Sequence, residues 1–380
     1  MNFQDRINAV LHHSDPDQVP FAPYIECFPS GEYERMLRNR GMGLVVRKPT
    51  VWAATPHVPV EKSVEGDLSV TVYHTPKGDV RAAYKQHAGR LYIDEAGICV
   101  EGLLKGIQDY EPIMYMIADT VFSVDNSLYS DTVRDLGGDG LFTEYGCALT
   151  PYGHTRYIFG ESSGFDKWIF EQADHPKEFA RLFEAIIARE ERRMLLIAES
   201  PSEYIRFGDI DGSWGPEVVR RYDLPFIKKW IPYLQSMGKI CCVHAHAINL
   251  AFFKDLIGEM GFNVVEAFTP PPVGNLSIRE ARVAWGKDTI IWVNFSETVF
   301  YQGPQAAKEY TQELLASDPP GNRLVIGFTE MGLWGASDPE TERLFKEGIL
   351  AIADAIDEAG KFPVQPRSES TDLNPYRTEK

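Results

Sequence analysis

The chain is 380 residues long, 44% hydrophobic, and carries 38 Lys and Arg against 55 Asp and Glu, a formal net charge of -17. That length and apolar content suit one large α/β barrel or two ordinary domains and exclude wholesale disorder. The acidic balance excludes nucleic acid and anionic membranes as general partners, no run reaches the roughly 18 apolar residues of a membrane span, and no basic-then-apolar secretion signal opens the chain.

An amphipathic helix is expected over residues 3–12, then a strand over 19–26. Residues 69–74 and 80–84 flank the Pro/Gly turn Thr75-Pro-Lys-Gly-Asp79 and read as a β-hairpin. From residue 120 onward, β-branched and aromatic runs alternate with helical segments. Strands are predicted at 120–125, 141–145, 204–209, 239–246, 262–268, 289–295 and 323–329. Helices fall at 176–199, 216–237, 277–285, 304–316 and 338–358. Pro216 suits a first helical turn, and Ser277 with Glu280 three residues on is a capping box. Counting 19–26, eight apolar strands separated by helices predict a (β/α)8 TIM barrel with an N-terminal extension containing a β-hairpin. The expected division is an extension over 1–115, packed on the barrel and including the first strand, the rest of the barrel over 116–363, and a polar tail over 364–380. No G-x-G-x-x-G or P-loop motif occurs.

In such a barrel the active site lies at the C-terminal strand ends. Polar residues recur there: Glu26, Asp125, Glu144, Asp209, His244, His246, Glu266, Asn294 and Glu330. Asp and Asn also start turns and cap helices, which serves equally for Asp125 and Asn294. His244-Ala245-His246 is the sharpest local signal. Residues two apart on a strand share a face, about 6–7 Å apart, so both imidazoles can converge on one metal ion. The plainer alternative is one hydrogen-bonded core His beside one that caps or binds substrate. Glu266 can complete a metal set or act as an acid or base without one, and Glu330 can join it or be a helix-start charge. A His and carboxylate set suits zinc. Five cysteines, at 27, 99, 147, 241 and 242, make no disulfide framework and point to a reducing cytoplasm. Cys241 and Cys242 read as packing residues, with a ligand role for Cys242 left open. Asp209, after Phe207-Gly208, would hydrogen-bond a substrate, hold a water or simply form a turn. Trp214, Tyr222, Phe268, Trp292 and Trp334 can wall a planar ligand or pack the core.

Gly238-Lys239, His244-Ala-His246, Leu250 to Gly261 and Glu266-Ala-Phe-Thr-Pro-Pro-Pro-Val-Gly-Asn275 together resemble the uroporphyrinogen decarboxylase superfamily. Gly208-Asp209, Arg221-Tyr222-Asp-Leu-Pro225 and Ala359-Gly-Lys-Phe-Pro363 fit the same pattern, so the likeness spans residues 110–363. It implies a (β/α)8 barrel, often dimeric, with one of two chemistries. One is cofactor-free decarboxylation of a porphyrinogen. The other is methyl transfer to or from a corrinoid, with zinc held by a His-x-Cys pair and a later Cys. Where the decarboxylase branch carries an arginine-rich segment, this chain reads Tyr24-Ile-Glu-Cys-Phe-Pro-Ser-Gly31, without arginine and with the added charge of Glu26. His244 matches the zinc-binding His, His246 takes the Cys position, and no Cys stands near Phe328-Thr329-Glu330. The resemblance therefore implies a cytoplasmic corrinoid-dependent methyltransferase, an O-demethylase component. It would move methyl from a small methylated compound, such as an aryl methyl ether, to the cobalt of a corrinoid (cobalamin) on a partner corrinoid protein. Zinc on His244, His246, Glu266 and Glu330 would polarise the leaving atom. Asp209, Tyr222 and Glu266 would do the proton and positioning work. Glu26, Glu144, Trp214, Phe268, Asn294 and Trp334 would contact substrate, and the chain would form a homodimer. The alternatives are a cofactor-free decarboxylase or lyase, and a non-catalytic barrel that binds a small ligand or a corrinoid protein.

Overall fold

The computed structural model describes residues 1–27, 30–85, 98–147, 151–159, 164–210, 215–245, 249–329 and 338–366. Its strands, in chain order, are β1 (Leu44–Lys48), β2 (Val51–Ala54), β3 (Val60–Glu65), β4 (Leu68–Thr75), β5 (Gly78–Lys85), β6 (Ile98–Glu101), β7 (Val121–Val124), β8 (Gly140–Cys147), β9 (Tyr204–Asp209), β10 (Ile240–His244), β11 (Val264–Phe268), β12 (Ile290–Asn294) and β13 (Leu324–Gly327). The fold is mixed α/β. Its centre is a curled parallel sheet of seven strands in the order β1-β8-β9-β10-β11-β12-β13. Strands β10 to β13 are buried along their whole lengths. That burial matches their near-continuous apolar sequences, as strands covered on both faces require.

Residues 20–24 run between the two edges of this sheet. Phe21 forms parallel bridges to both Met42 and Ile326, and Tyr24 bridges Val45. On one side the Ala22 and Tyr24 amides donate to Ile326 and Phe328, and Ile326 donates back to Pro20. On the other, Gly43 and Val45 donate to the carbonyls of Phe21 and Pro23. Pro23 has no N–H to return, so the segment bridges both edges without a complete ladder. Glycine lets the strands come this close. A Cβ on Gly327 would lie 2.4 Å from the Ala22 carbonyl oxygen and 2.8 Å from Trp292 Nε1.

The helices follow the sequence closely. The first spans Phe3–Leu11 and the long one Pro176–Ala198. The capping box at Ser277 and Glu280 opens helix Ile278–Trp285. The segment predicted as one helix over 216–237 is two, Pro216–Tyr222 and Leu224–Ser236, broken at Asp223 ahead of Pro225. Pro304–Ala316 and Pro339–Ala359 pack side by side.

Two expectations change. Residues 120–125 are not a stave of the parallel sheet, because β7 pairs antiparallel with β2 in a separate ribbon. The stave in that place is β1, whose Gly-bounded run Gly43-Leu-Val-Val-Arg47 had not been read as a strand. The predicted hairpin exists as β4 and β5, inside a four-stranded antiparallel sheet β3-β4-β5-β6. Its edge strand β3 is exposed throughout and carries Glu61, Lys62 and Glu65, the charges that keep a free edge from pairing. Val364 is buried, and its amide donates to Pro320.

On the long helix, Glu190 is fully buried between His154, Arg189 and Arg193, with contacts of 3.2, 2.8 and 3.3 Å. Burial alone would raise its carboxyl, but the His154, Arg193 and Arg189 charges outweigh it and hold the pKa down at about 2. A depressed folded pKa stabilises above the unfolded value, so this contribution is present above about pH 4.5 and fades as pH falls toward 2. Glu190→Gln should flatten the acid limb of a urea-unfolding series between those pH values, and an unchanged slope would remove Glu190 from the account. Gly327→Ala should cost about 1–3 kcal/mol by forcing the 20–24 segment off β13. A wild-type denaturation midpoint would show that the close approach matters little.

Candidate active site

Three staves place polar groups within reach of one another, His244 and Glu266 at one level and Arg206 one pleat earlier, opposite Cys242. Arg206 is on β9, His244 ends β10 and Glu266 is on β11. The register sets His244 directly opposite Glu266. Tyr24 enters from the 20–24 segment and Arg47 from the end of β1. Pairing is irregular at this level on β8, β9 and β11. Bulges of this kind re-aim side chains at barrel rims. On β11 the extra residue is Ala267, held at φ 58° in the left-handed region, a strained position for a residue with a Cβ.

Glu266 is the hub of the group. Arg206 Nε donates to its Oε2 at 3.0 Å, and His244 Nδ1 lies 3.3 Å from the same oxygen. The Tyr24 hydroxyl is also 3.3 Å from Nδ1, with the two rings stacked at 6.4 Å. All four are buried, Glu266 and Tyr24 completely. A carboxylate only accepts, so Nδ1–H donates to Glu266 and the neutral imidazole carries its lone pair on Nε2. Among the described residues, Glu266 Oε1 is buried without a hydrogen-bond partner. Burial, then the Glu266 charge, pushes the Tyr24 phenol well above its usual range, so it stays protonated. The same two causes, in the same order, raise the Cys242 thiol, which is fully buried and a packing residue here.

Arg47 stacks over the Tyr24 ring, 3.9 Å from its centroid, and its Nη2 lies 3.5 Å from Glu26. Arg206 lies over the Tyr145 ring at 5.0 Å. Neither arginine was singled out from the sequence. Arg206 sits inside an apolar strand where charge is rare, which is a readable signal, and Arg47 ends the strand that was missed.

The remaining expected site residues are dispersed. Glu26 is half exposed at the rim. Glu144 faces away from the cluster, because its oxygens are taken by the Thr50 amide at 2.7 Å, the Thr50 hydroxyl and Ser200. Tyr222 belongs to a second core, against Trp168 and Phe183, where Gln172 donates to its hydroxyl. Phe268 would share Glu266's face in a regular strand; the bulge turns it outward onto Trp285. Asn294 ties loops together, donating to Thr269 and accepting from the Thr329 amide. Trp292 fills the sheet interior against Tyr204. Asp125 accepts from Ser127 as a turn residue. His246, Glu330, Trp214, Trp334 and the side chain of Asp209 lie outside the described residues.

His244 fits a metal ligand through Nε2, with Glu266 in the role of the carboxylate that orients a ligating imidazole. Among the described residues, no three His, Cys, Asp or Glu side chains gather to hold a metal ion.

No protein family and no curated protein matches the chain by sequence. A methyltransferase from Methanosarcina mazei matches in structure with a TM-score of 0.52 at 13% identity, covering 94% of this chain and 99% of that one. An assigned mandelate racemase/muconate lactonizing enzyme from Labrenzia alexandrii gives a TM-score of 0.30 at 10% identity, covering 88% and 59%, too low to bear on the fold. Among the described residues, no helix is long and apolar enough to cross a membrane.

Removing Arg206 would strand a buried carboxylate. Arg206→Met should therefore cost about 3–5 kcal/mol, and the added change Glu266→Leu should restore most of it. Equal losses in the single and double variants, read from urea unfolding, would refute the pairing.

Proposed function

We propose that the protein is a methyltransferase on a closed (β/α)8 barrel, with its active site around His244. The 20–24 segment supports this reading, since it bonds to both sheet edges, where an eighth stave would stand. The observation that carries the functional reading is the buried Arg206–Glu266–His244–Tyr24 chain at the C-terminal strand ends, where barrels place catalysis. The fold likeness to a methyltransferase over nearly both full lengths agrees with it.

The reaction we favour takes methyl from a small methyl ether to the cobalt of a corrinoid on a partner protein. As the C–O bond breaks, the methyl carbon passes to the acceptor and the oxygen keeps the bonding electrons. His244 Nε2, when protonated, delivers the proton that oxygen needs. Glu266 holds the ring in orientation and balances the imidazolium, and Arg206 keeps Glu266 in place. Tyr24 closes the far side of the ring and excludes water. Were a zinc ion bound instead, His244 Nε2 would carry the metal and no proton, with His246 and Glu330 as the further ligands expected from the sequence, and the ion would polarise the leaving oxygen. The decarboxylase alternative is not favoured, because the structural likeness is to a methyltransferase.

A panel of methyl ethers with cob(I)alamin as acceptor tests this reading. Methylcobalamin should form with wild type, and His244→Ala should lose about 10²–10⁴-fold in rate. No methylcobalamin from any ether would end the proposal. Metal analysis of wild type and His244→Ala separates the zinc question, and a metal-free wild type with full activity would dismiss zinc.

A further inference from the structure

A cavity of about 320 Å³ lies at the foot of the sheet, where β8, β9 and β10 begin at Gly140, Tyr204 and Ile240, the end opposite His244. Two helices face each other across it. The opening helix Phe3–Leu11 presents Gln4, Asn8 and Leu11, and helix Ser127–Leu136 presents Tyr129, Val133 and Leu136. Each trio is spaced i, i+4, i+7, which is one face of a helix. The opening helix buries Phe3, Ile7 and Val10 in the core with its other face. On helix Ser127–Leu136 the trio is the apolar stripe itself, yet none of the three is fully buried and Val133 is 38% exposed. A Cβ added at Gly137, which also lines the cavity, would meet no atom within 4 Å. An apolar stripe beside open room of this size is a surface that a ligand covers.

The lining also says which ligand. It holds no Lys or Arg. Its one carboxylate, Glu203, is met by His12 Nε2 at 3.2 Å, and the Lys239 amine beside it is taken by the carbonyls of Ser200 and Ser202. An anion would lose its water here without gaining a counter-charge, so the occupant is uncharged. The half-buried Gln4 and Asn8 side chains bond each other at 3.3 Å and, as amides, keep donors and acceptors for a further partner. Tyr129 meets Phe142 edge to face at 5.1 Å, a corner into which another ring packs. An apolar cavity of about 150 Å³ holds benzene, so this volume suits about two fused rings.

We propose that this cavity is a second ligand site, remote from the His244 cluster, and that it takes an uncharged bicyclic aromatic alcohol. The rings lie against Tyr129, Val133 and Phe142, and the hydroxyl bonds the Gln4 and Asn8 amides. The inference rests on the cavity and stands apart from the methyl-transfer reading.

Equilibrium dialysis of the full chain against 2-naphthol, 2-naphthoate and naphthalene tests this. 2-Naphthol should bind saturably, at least about tenfold more tightly than the anion and about threefold or more over the hydrocarbon. Val133→Trp, which fills the cavity from a partly exposed helix position, should weaken 2-naphthol at least about tenfold, while His244→Ala should leave its binding unchanged. Gln4→Ala combined with Asn8→Ala should erase the preference for the alcohol over naphthalene, which holds the inference to account if Val133→Trp disturbs its helix. No saturable binding of 2-naphthol, a preference for 2-naphthoate, binding lost in His244→Ala, or binding indifferent to both sets of cavity changes would overturn it.

Discussion

The ion pair between Arg206 and Glu266 is the constraint around which the site is organised. Two opposite charges inside a strand sheet are tolerable only together, because each alone would carry a desolvation cost of several kcal/mol. Their pairing spans β10, from Arg206 opposite Cys242 on β9 to Glu266 opposite His244 on β11. His244, at the end of β10, then finds a carboxylate within reach of Nδ1. The imidazole is held by a group that is itself held, so its orientation does not depend on a flexible loop. Tyr24 completes the enclosure from the segment between the sheet's edges.

The strand ends beside this pair are irregular. A regular β11 would place Phe268 on the face that bears Glu266. The bulge at Ala267 sends the ring outward onto Trp285. Left-handed backbone at an alanine is unfavourable by itself, and it stands where polar side chains must converge on one point.

Much of this was legible in the sequence because it is written in local patterns. The parallel staves from β8 to β13 are short apolar runs between helices, and the capping box at Ser277 is a two-residue signature of a helix start. The juxtaposition of His244 and Glu266 follows from two neighbouring strands ending at the same level. What was not legible depended on long-range partners. Residues 120–125 are as apolar as a stave, and only their pairing with β2 shows that they are something else. Leu44–Lys48 ends in two basic residues, so its burial depends on Tyr24 and Glu26 accepting Arg47. Glu144 looked like a site acid because composition does not reveal that Thr50 and Ser200 already satisfy it. Residues 24–31 carry no arginine, yet guanidinium groups reach the cluster from two other strands, as Arg47 and Arg206.

The doubly bridged segment at residues 20–24 has a consequence for assembly of the molecule during synthesis. Its neighbours on one side are close in the chain, but on the other they are β13 and the residues just after it, with Cys27 meeting Phe328 across 301 positions. Residues 20–24 must wait, unpartnered on that flank, until the chain has been made past residue 328. Tyr24 belongs to that stretch, so the bonds that hold its backbone beside His244 are complete only once the last strand has joined.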